Sequence, residues 1–380
     1  MNKSLEGVRV LELARFQAGP RGGMIMSDLG AEVIKIERLG GEETRKNPPM
    51  VRGQSVYFSV YNRGKKSVCL DMRSAQGREI FTELVKQADI VLENFRPGTM
   101  DTMGFGFAAL QAIKKDIILV SVSGFGQYGP YRDRPAFDPL GQAMSGLMTL
   151  TGQPVGQPVG TAFSLVDRTT ALHATIGALA ALRHRDRTGE GQVVDCCLLD
   201  SALTMVEIPA SYYLATGEEG GEGGRPPYRA KDGWVVISAV GQEMAGKLMR
   251  LIGAADTPGG PINSSAAGER RRLLDDWCAN QTVAEITDTL LALGIPVGPV
   301  RTIPEVTQDP HTWEREMLVK MPDPVAGEMY LPGVAMKLSV TPGEIGPVPT
   351  PGQHTDEVLG RLLGYDAAKL ASLRAGKVIA

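Results

Sequence analysis

What most narrows the folds open to this chain is a rhythm in its first 123 residues. Short apolar runs alternate with segments of helical spacing. The runs are Val8–Leu13, Ala31–Glu37, Ser67–Asp71, Asp89–Glu93 and Ile117–Ser123. Each has strand length and reads as a buried strand. Between them lie Ala18-Gly-Pro20, with Gly and Pro placed to start a helix, an amphipathic stretch from Ser74 to Ala88, and a helix start near Thr99. Strands alternating with helices predict parallel pairing through helical crossovers, and so a doubly wound α/β domain. In such a domain the loops at the carboxyl ends of the strands bind ligands. Arg15, Gln17 and Arg38 fall in those loops. Taken singly, each reads as solvated surface.

The pattern continues with an apolar helix over 140–150, a strand over 192–196 and a helix from Leu198 to about Thr216. Composition then shifts at Gly217-Glu-Glu-Gly-Gly-Glu-Gly-Gly224, a flexible linker by composition and, on a second reading, a mobile flap. Residues 1–216 are thus expected to form a large domain and 217–227 a linker. A smaller α/β domain is expected over 228–320. It holds the strand Trp234–Ser238, a helix start near Gln242 and a capping box, Thr282-x-x-Glu285.

The chemistry is expected at Gly160-Thr-Ala-Phe-Ser-Leu-Val-Asp167. A helix rich in Ala and Gly follows, with apolar residues Leu172, Ile176, Leu179 and Leu182 at helical spacing. Asp167 therefore sits near a helix N-terminus, where the macrodipole favours a carboxylate. Such a residue is either an N-cap or a catalytic group, and spacing alone favours the cap.

Composition excludes several classes. The 380 residues carry a net charge of −3 with no basic block, which argues against nucleic acid as a partner. The cysteines, Cys69, Cys196, Cys197 and Cys278, form no C-x-x-C, and the four histidines are scattered. Buried structural thiols are expected, with no metal site and no disulfide framework. No run of apolar residues is long enough to span a bilayer, and a cytoplasmic enzyme is the reading.

Gly124-Phe-Gly-Gln-Tyr-Gly129 is a literal G-x-G-x-x-G after a strand. An NAD-binding oxidoreductase would need a helix to start inside it. Pro130-Tyr-Arg-Asp-Arg-Pro135 follows instead. The stretch is read as a tight turn lining a cleft.

Several tags recur in a telling order. They are Gln17-Ala-Gly-Pro20, Leu29-Gly-Ala-Glu-Val-Ile-Lys-Ile-Glu-Arg38, Glu93-Asn-Phe-x-Pro-Gly98, Gly124-x-Gly-Gln-x-Gly-Pro130 and Asp167, then Thr188-Gly-x-Gly-Gln192, Gly294-Ile-Pro-x-Gly-Pro299 and Gly352-Gln-His-Thr355. Together they make the chain resemble the class III coenzyme A transferases of the CaiB/BaiF type, over nearly its whole length. The resemblance implies a homodimer of interlocked rings. Each chain would have a Rossmann-like large domain, completed by a C-terminal segment over 321–380, and a small domain between. It implies no permanently bound cofactor, with acyl-CoA and a free carboxylic acid as substrates.

The resemblance also implies roles. Asp167 matches the catalytic aspartate, which forms an acyl anhydride and then a thioester with CoA. Gln17 and Ala18 match positions near the thioester and pantetheine, and Arg38 a residue on the CoA phosphates. Leu70, Arg73, Asn94, Phe95 and Arg96 match the adenine and pantetheine wall. Phe137 and Asp138 match positions beside the thioester. Two departures stand out. Thr102 replaces an Arg that some members use on the diphosphate, and Arg96 is read as its substitute. Pro135 replaces a Lys of the formyl-CoA transferases, which argues against a formyl/oxalate pair. An α-methylacyl-CoA racemase shares the fold, but its His-Asp pair falls at Phe137-Asp138, and Phe137 cannot move a proton.

Overall fold

The computed structural model describes residues 3–153, 156–220, 226–254 and 267–380. Two compact units result: Met1–Met148 with Gly160–Glu207 and Pro310–Ala380, and Thr149–Val159 with Ile208–Asp309. Part of the predicted linker and flap, residues 221–225, lies outside the described residues.

The first unit is built on six parallel strands. These are β1 (Arg9–Glu12), β2 (Glu32–Glu37), β3 (Lys66–Cys69), β4 (Ile90–Glu93), β5 (Ile118–Ser123) and β6 (Val193–Cys197). Their order is β3-β2-β1-β4-β5-β6, with every pair parallel. This is a Rossmann-type order, and the chain reverses its direction across the sheet between β1 and β4. The predicted strands are therefore present, in a mixed α/β fold with a parallel central sheet.

Alternate side chains of these strands enter two different cores. Val10, Val33, Ile90, Leu92, Ile118 and Val120 lie in one, and Leu11, Ile34, Val68, Val91 and Leu119 in the other. Burial on both faces explains why the strands read as unbroken apolar runs rather than alternating ones. Helices α1 (Ala18–Asp28) and α4 (Leu165–Thr188) cover the first face, and α2 (Ala75–Lys86) covers the second. Ile80, Phe81, Leu84 and Val85 of α2 are fully buried there. Each such side chain contributes about 1.5–3 kcal/mol.

The C-terminal segment closes the sheet. Val358, Leu359, Leu370 and Leu373 join the second core. Strand β3 is an edge, with backbone groups open to stray pairing. Gly352-Gln-His-Thr355 satisfies them. Ser67 N donates to His354 Nδ1 (3.1 Å), and His354 N donates to Ser67 O (2.9 Å). Cys69 N donates to Thr355 Oγ1 (3.2 Å). That motif is thus an edge clamp.

The second unit has a three-stranded antiparallel sheet with Trp234–Ile237 in the middle, flanked by Tyr228–Arg229 and Val297–Pro299. Val235, Ile237, Leu248, Cys278, Ile286 and Leu290 form its core. The capping box expected at Thr282 and Glu285 is present in both directions.

Three local expectations are corrected. The helix predicted over 140–150 starts earlier, as α3 (Asp138–Met144), and breaks at Gly146, whose φ of 88° leaves the helical region. A separate segment, Leu147–Gly152, follows. The helix predicted over 198–216 is two, α5 (Leu198–Leu203) and Glu207–Thr216. Pro209 accounts for the break: deeper in a continuous helix its ring would strike the preceding turn, so it is tolerated only in a first turn. In α4, Leu172 and Ile176 are exposed, and the buried face is Val166, Thr170, Ala171, Ala174, Ala178 and Ala181. Small residues win that face because α1 lies close against it.

Thr188-Gly-x-Gly-Gln192 turns the chain from α4 into β6. Gly189 ends the helix at φ 73°. At Gly191 a Cβ would lie 1.9 Å from the Ile117 carbonyl oxygen, a backbone atom that cannot step aside. Gly191→Ala is therefore expected to destabilise the protein by about 3 kcal/mol, through strain in the β5–β6 pairing. Urea unfolding checks this: the midpoint should fall at constant slope. An unchanged midpoint would contradict the packing described.

Candidate active site

A cleft of about 380 Å³ opens at the carboxyl ends of β1, β4 and β5, beside the point where the sheet order reverses. Such a switch point leaves a crevice between loops that diverge to opposite faces of the sheet. Phe16, Gln17 and Ala18 line it from the β1 loop, Asn94, Phe95 and Arg96 from the β4 loop, and Ser123 and Gly124 from the end of β5. Arg15, Arg134, Phe137 and Asp167 are also among its lining residues.

Asp167 is the third residue of α4 and is not its cap, which corrects the expectation from spacing. Ser164 holds the N-cap position and makes no side-chain capping bond. The carboxylate is therefore left for other work. Its backbone N–H donates to Asp138 Oδ2 at 3.0 Å. Asp138 is buried at the start of α3, and its other oxygen accepts from Gln142 Nε2. Gln142 Oε1 in turn accepts from Thr161 N at 2.9 Å. Gln17 Nε2 donates to Ser164 O at 3.4 Å, a long bond. This chain of bonds ties the β1 loop, α3 and the 160–164 loop to the first turn of α4.

The electrostatics follow from this packing. A helix N-terminus favours an ionised carboxylate by about 0.3–1 kcal/mol, which is less than one pKa unit. Burial, reinforced by the Asp138 charge, outweighs both that and the opposing pull of Arg168. Together they push the Asp167 carboxyl from 3.8 up to about 7. The carboxyl is therefore held far nearer neutrality than that of an exposed aspartate. Tyr57, on the helix Val56–Asn62, interacts with the same charge, and its hydroxyl is held above the usual range by burial and by Asp167.

Gln17, Ala18, Asn94, Phe95, Arg96, Phe137 and Asp167 are brought to one cleft, with Asp138 directly behind Asp167. Arg38, Leu70 and Arg73 are not among its lining residues. Arg38 is exposed and bonds to Gly41 O at 2.9 Å, with Glu43 3.9 Å away. Leu70 is buried in the second core, paired through its backbone with Ile379. Arg73 lies exposed after β3. Sequence reading missed Phe16, Tyr57, Arg134 and Gln142. Phe16 has φ 65°, a left-handed conformation that costs a bulky residue about 1–3 kcal/mol, and its ring meets Phe137 edge-on at 5.8 Å. No residue type signals that conformation in advance.

The glycines Gly124–Gly129 run as bends, and no helix starts until Asp138. The dinucleotide fingerprint is therefore incomplete. The four cysteines are free; three are buried and Cys196 is half-buried. Among the described residues no group of three or more His, Cys, Asp or Glu could hold a metal, and no helix is long and apolar enough to cross a membrane.

Fold and cleft together define an α/β protein with a desolvated carboxylate at a switch-point crevice. The sequence model of CoA-transferase family III matches residues 5–355. A succinyl-CoA–D-citramalate CoA-transferase of Chloroflexus aurantiacus is 37% identical over 99% of this chain and 98% of its own. A formyl-CoA:oxalate CoA-transferase of Streptomyces avermitilis is 33% identical over the full length of both. The crystal structure of a CaiB/BaiF family protein from Brucella suis superposes with a TM-score of 0.82 at 31% identity, covering 95% of this chain and all of that one. The chain belongs to CoA-transferase family III and is a CoA-transferase.

Asp138→Asn keeps an acceptor for the Asp167 N–H but removes the neighbouring charge. Asp167 should then ionise at lower pH. The acid limb of the kcat/KM profile is expected to follow that ionisation and to move downward by about one pH unit. A limb that stays in place would contradict the coupling.

Proposed function

We propose that this enzyme moves coenzyme A from an acyl-CoA to a free carboxylic acid through covalent intermediates on Asp167. The observation that carries the reading is the position of that carboxylate. It is largely desolvated, uncapped, backed by Asp138 and open to the cleft. An ionised Asp167 oxygen attacks the thioester carbonyl, the C–S bond breaks, and CoA leaves as its thiolate. The thiolate attacks the aspartyl carbonyl of the resulting anhydride and releases the first acid, leaving an aspartyl–CoA thioester. The acceptor carboxylate repeats the two steps in reverse. Covalent catalysis divides one hard exchange into easier ones and conserves the thioester's free energy. Exclusion of water from the cleft protects the anhydride.

Arg96 and Arg134 in the cleft, with Arg15 beside them, offer charge to the CoA phosphates, and the planar guanidinium suits that task. Arg38, Leu70 and Arg73 remain CoA-binding residues in this proposal by resemblance alone. A succinyl-CoA donor is the first to test, because a relative's name carries it. A homodimer is also part of the proposal, supported by Leu172 and Ile176, exposed at 46% and 62% on one side of α4. A cytoplasmic location completes it. Racemisation is disfavoured because Phe137, at the cleft, offers no acid or base.

Asp167→Ala should abolish transfer, by about 10⁴-fold or more, while the fold and the thermal midpoint are retained. Hydroxylamine should inactivate the wild type only when acyl-CoA is present, because only then does an activated acyl group exist. Full transfer by Asp167→Ala, or inactivation independent of acyl-CoA, would overturn the proposal.

A further inference from the structure

Beneath the β1 loop lies a cluster of fully buried charges that the reaction above does not use. Glu12 ends β1, Lys35 lies in β2, and Lys65 directly precedes β3. All three are at most 2% exposed. Glu12 Oε1 accepts from Lys65 Nζ at 2.7 Å and from Lys35 Nζ at 3.1 Å. Lys35 also pairs with Glu42 at 2.7 Å, and Lys65 donates to Asn62 Oδ1 at 3.0 Å.

Such a cluster is a poor way to stabilise a core. Removing charges from water costs several kcal/mol per ion, and apolar residues of similar volume commonly serve stability as well or better. What the cluster does instead is visible in the last bond of each ammonium group. Lys35 Nζ donates to the Ala14 carbonyl at 2.8 Å, and Lys65 Nζ donates to the Pro20 carbonyl at 2.8 Å. Those two carbonyls bracket the turn that carries Phe16, Gln17 and Ala18 into the cleft. Between them Asn94 holds Arg15 from both sides, accepting its N–H at 2.8 Å and donating to its carbonyl at 2.6 Å. A turn containing a left-handed phenylalanine persists only where its surroundings over-determine it.

We infer that Lys35 and Lys65, bridged by Glu12, are positioning residues that clamp the Ala14–Pro20 turn and so fix Phe16 and Gln17 against Asp167. This rests on the reading of the Asp167 cleft as the reacting centre. The clamp explains a further detail. At Gly23 of α1 a Cβ would lie 1.8 Å from Glu12 Oε2, so any side chain there would force the bridging carboxylate to move. Burial, opposed by Glu12, lowers the Lys65 ammonium to about 8, so the grip on Pro20 loosens in alkali.

The test separates local positioning from general destabilisation. Lys65→Met and Lys35→Met are compared with Arg63→Met, which breaks another buried ion pair, that with Asp28 at 2.8 Å, but grips no part of the turn. The lysine variants should lose kcat by about 10- to 100-fold with a smaller change in the KM for acyl-CoA, because small displacements of positioning groups act on the attack geometry. They should also be cut by trypsin after Arg15 at least about tenfold faster than wild type, since cleavage requires that segment to open locally. Arg63→Met should do neither at matched thermal stability. The tryptic readout needs no substrate, so it stands even if the covalent mechanism fails. Should the variants not fold, amide exchange on the wild type decides: the Arg15 N–H, held by Asn94, should be protected to the level of β1. Rapid exchange there, or lysine variants with normal kcat and normal cleavage, would overturn the inference.

Discussion

The Asp138 carboxylate accepts the backbone N–H of Asp167 at 3.0 Å, and the arrangement of the cleft depends on that bond. It places two acids close together where water is scarce. The same contact that fixes the first turn of α4 raises the proton affinity of its side chain. Ordinarily a carboxylate near a helix start is stabilised by the helix, and here the larger opposing effects win. The consequence for stability has a definite sign. Asp167 binds its proton more tightly folded than unfolded. The folded state is therefore disfavoured progressively as pH rises from about 3.8 to about 7, and by a constant amount above that.

The parallel sheet supplies the setting. With β1 and β4 adjacent and the chain diverging on either side, the β1 and β4 loops stand apart and leave a crevice. Arg15 and Asn94 then bond across it through the backbone of the β1 loop. From beneath, Lys35 and Lys65 hold the two ends of the same loop. The site is thus braced from the sheet below and from the neighbouring loop, while α3 fixes the helix that carries Asp167. Rigid supports on regular elements are what a near-attack geometry requires.

Much of this was legible in the residues. Strands buried on both faces leave unbroken apolar runs, so β1 to β5 could be read directly, as could the alternation that makes them parallel. Gly189 and Gly191 advertise a turn because no other residue fits both positions. The strand–helix pattern put Gln17 in a strand-end loop and Asp167 at a helix start; Asn94 and Arg96, and the roles of all four, were reached through a resemblance. Other features have no signature in one dimension. The buried side of α4 is set by how near α1 approaches, which favours Ala174 and Ala178 over the more apolar Leu172 and Ile176. The left-handed Phe16 is imposed by its surroundings and not by its own preferences. Lys35, inside the run read as β2, and Lys65, just before β3, carry no mark of their own in the sequence; only the fold shows their ammonium groups sealed beneath a loop. Arg38 and Leu70 illustrate the converse, since matching a motif does not put a side chain in the cleft.

The account turns on whether oxygen passes through the Asp167 carboxyl during transfer. The most direct measurement is turnover with an acceptor acid whose carboxylate carries heavy oxygen, followed by mass spectrometry of the peptide containing Asp167. Return of the aspartyl–CoA thioester to the free carboxylate must leave one oxygen from the acceptor on the enzyme, so the peptide should gain heavy label at Asp167. A peptide that stays at natural abundance through many turnovers, while the acceptor becomes its CoA thioester, would contradict the account.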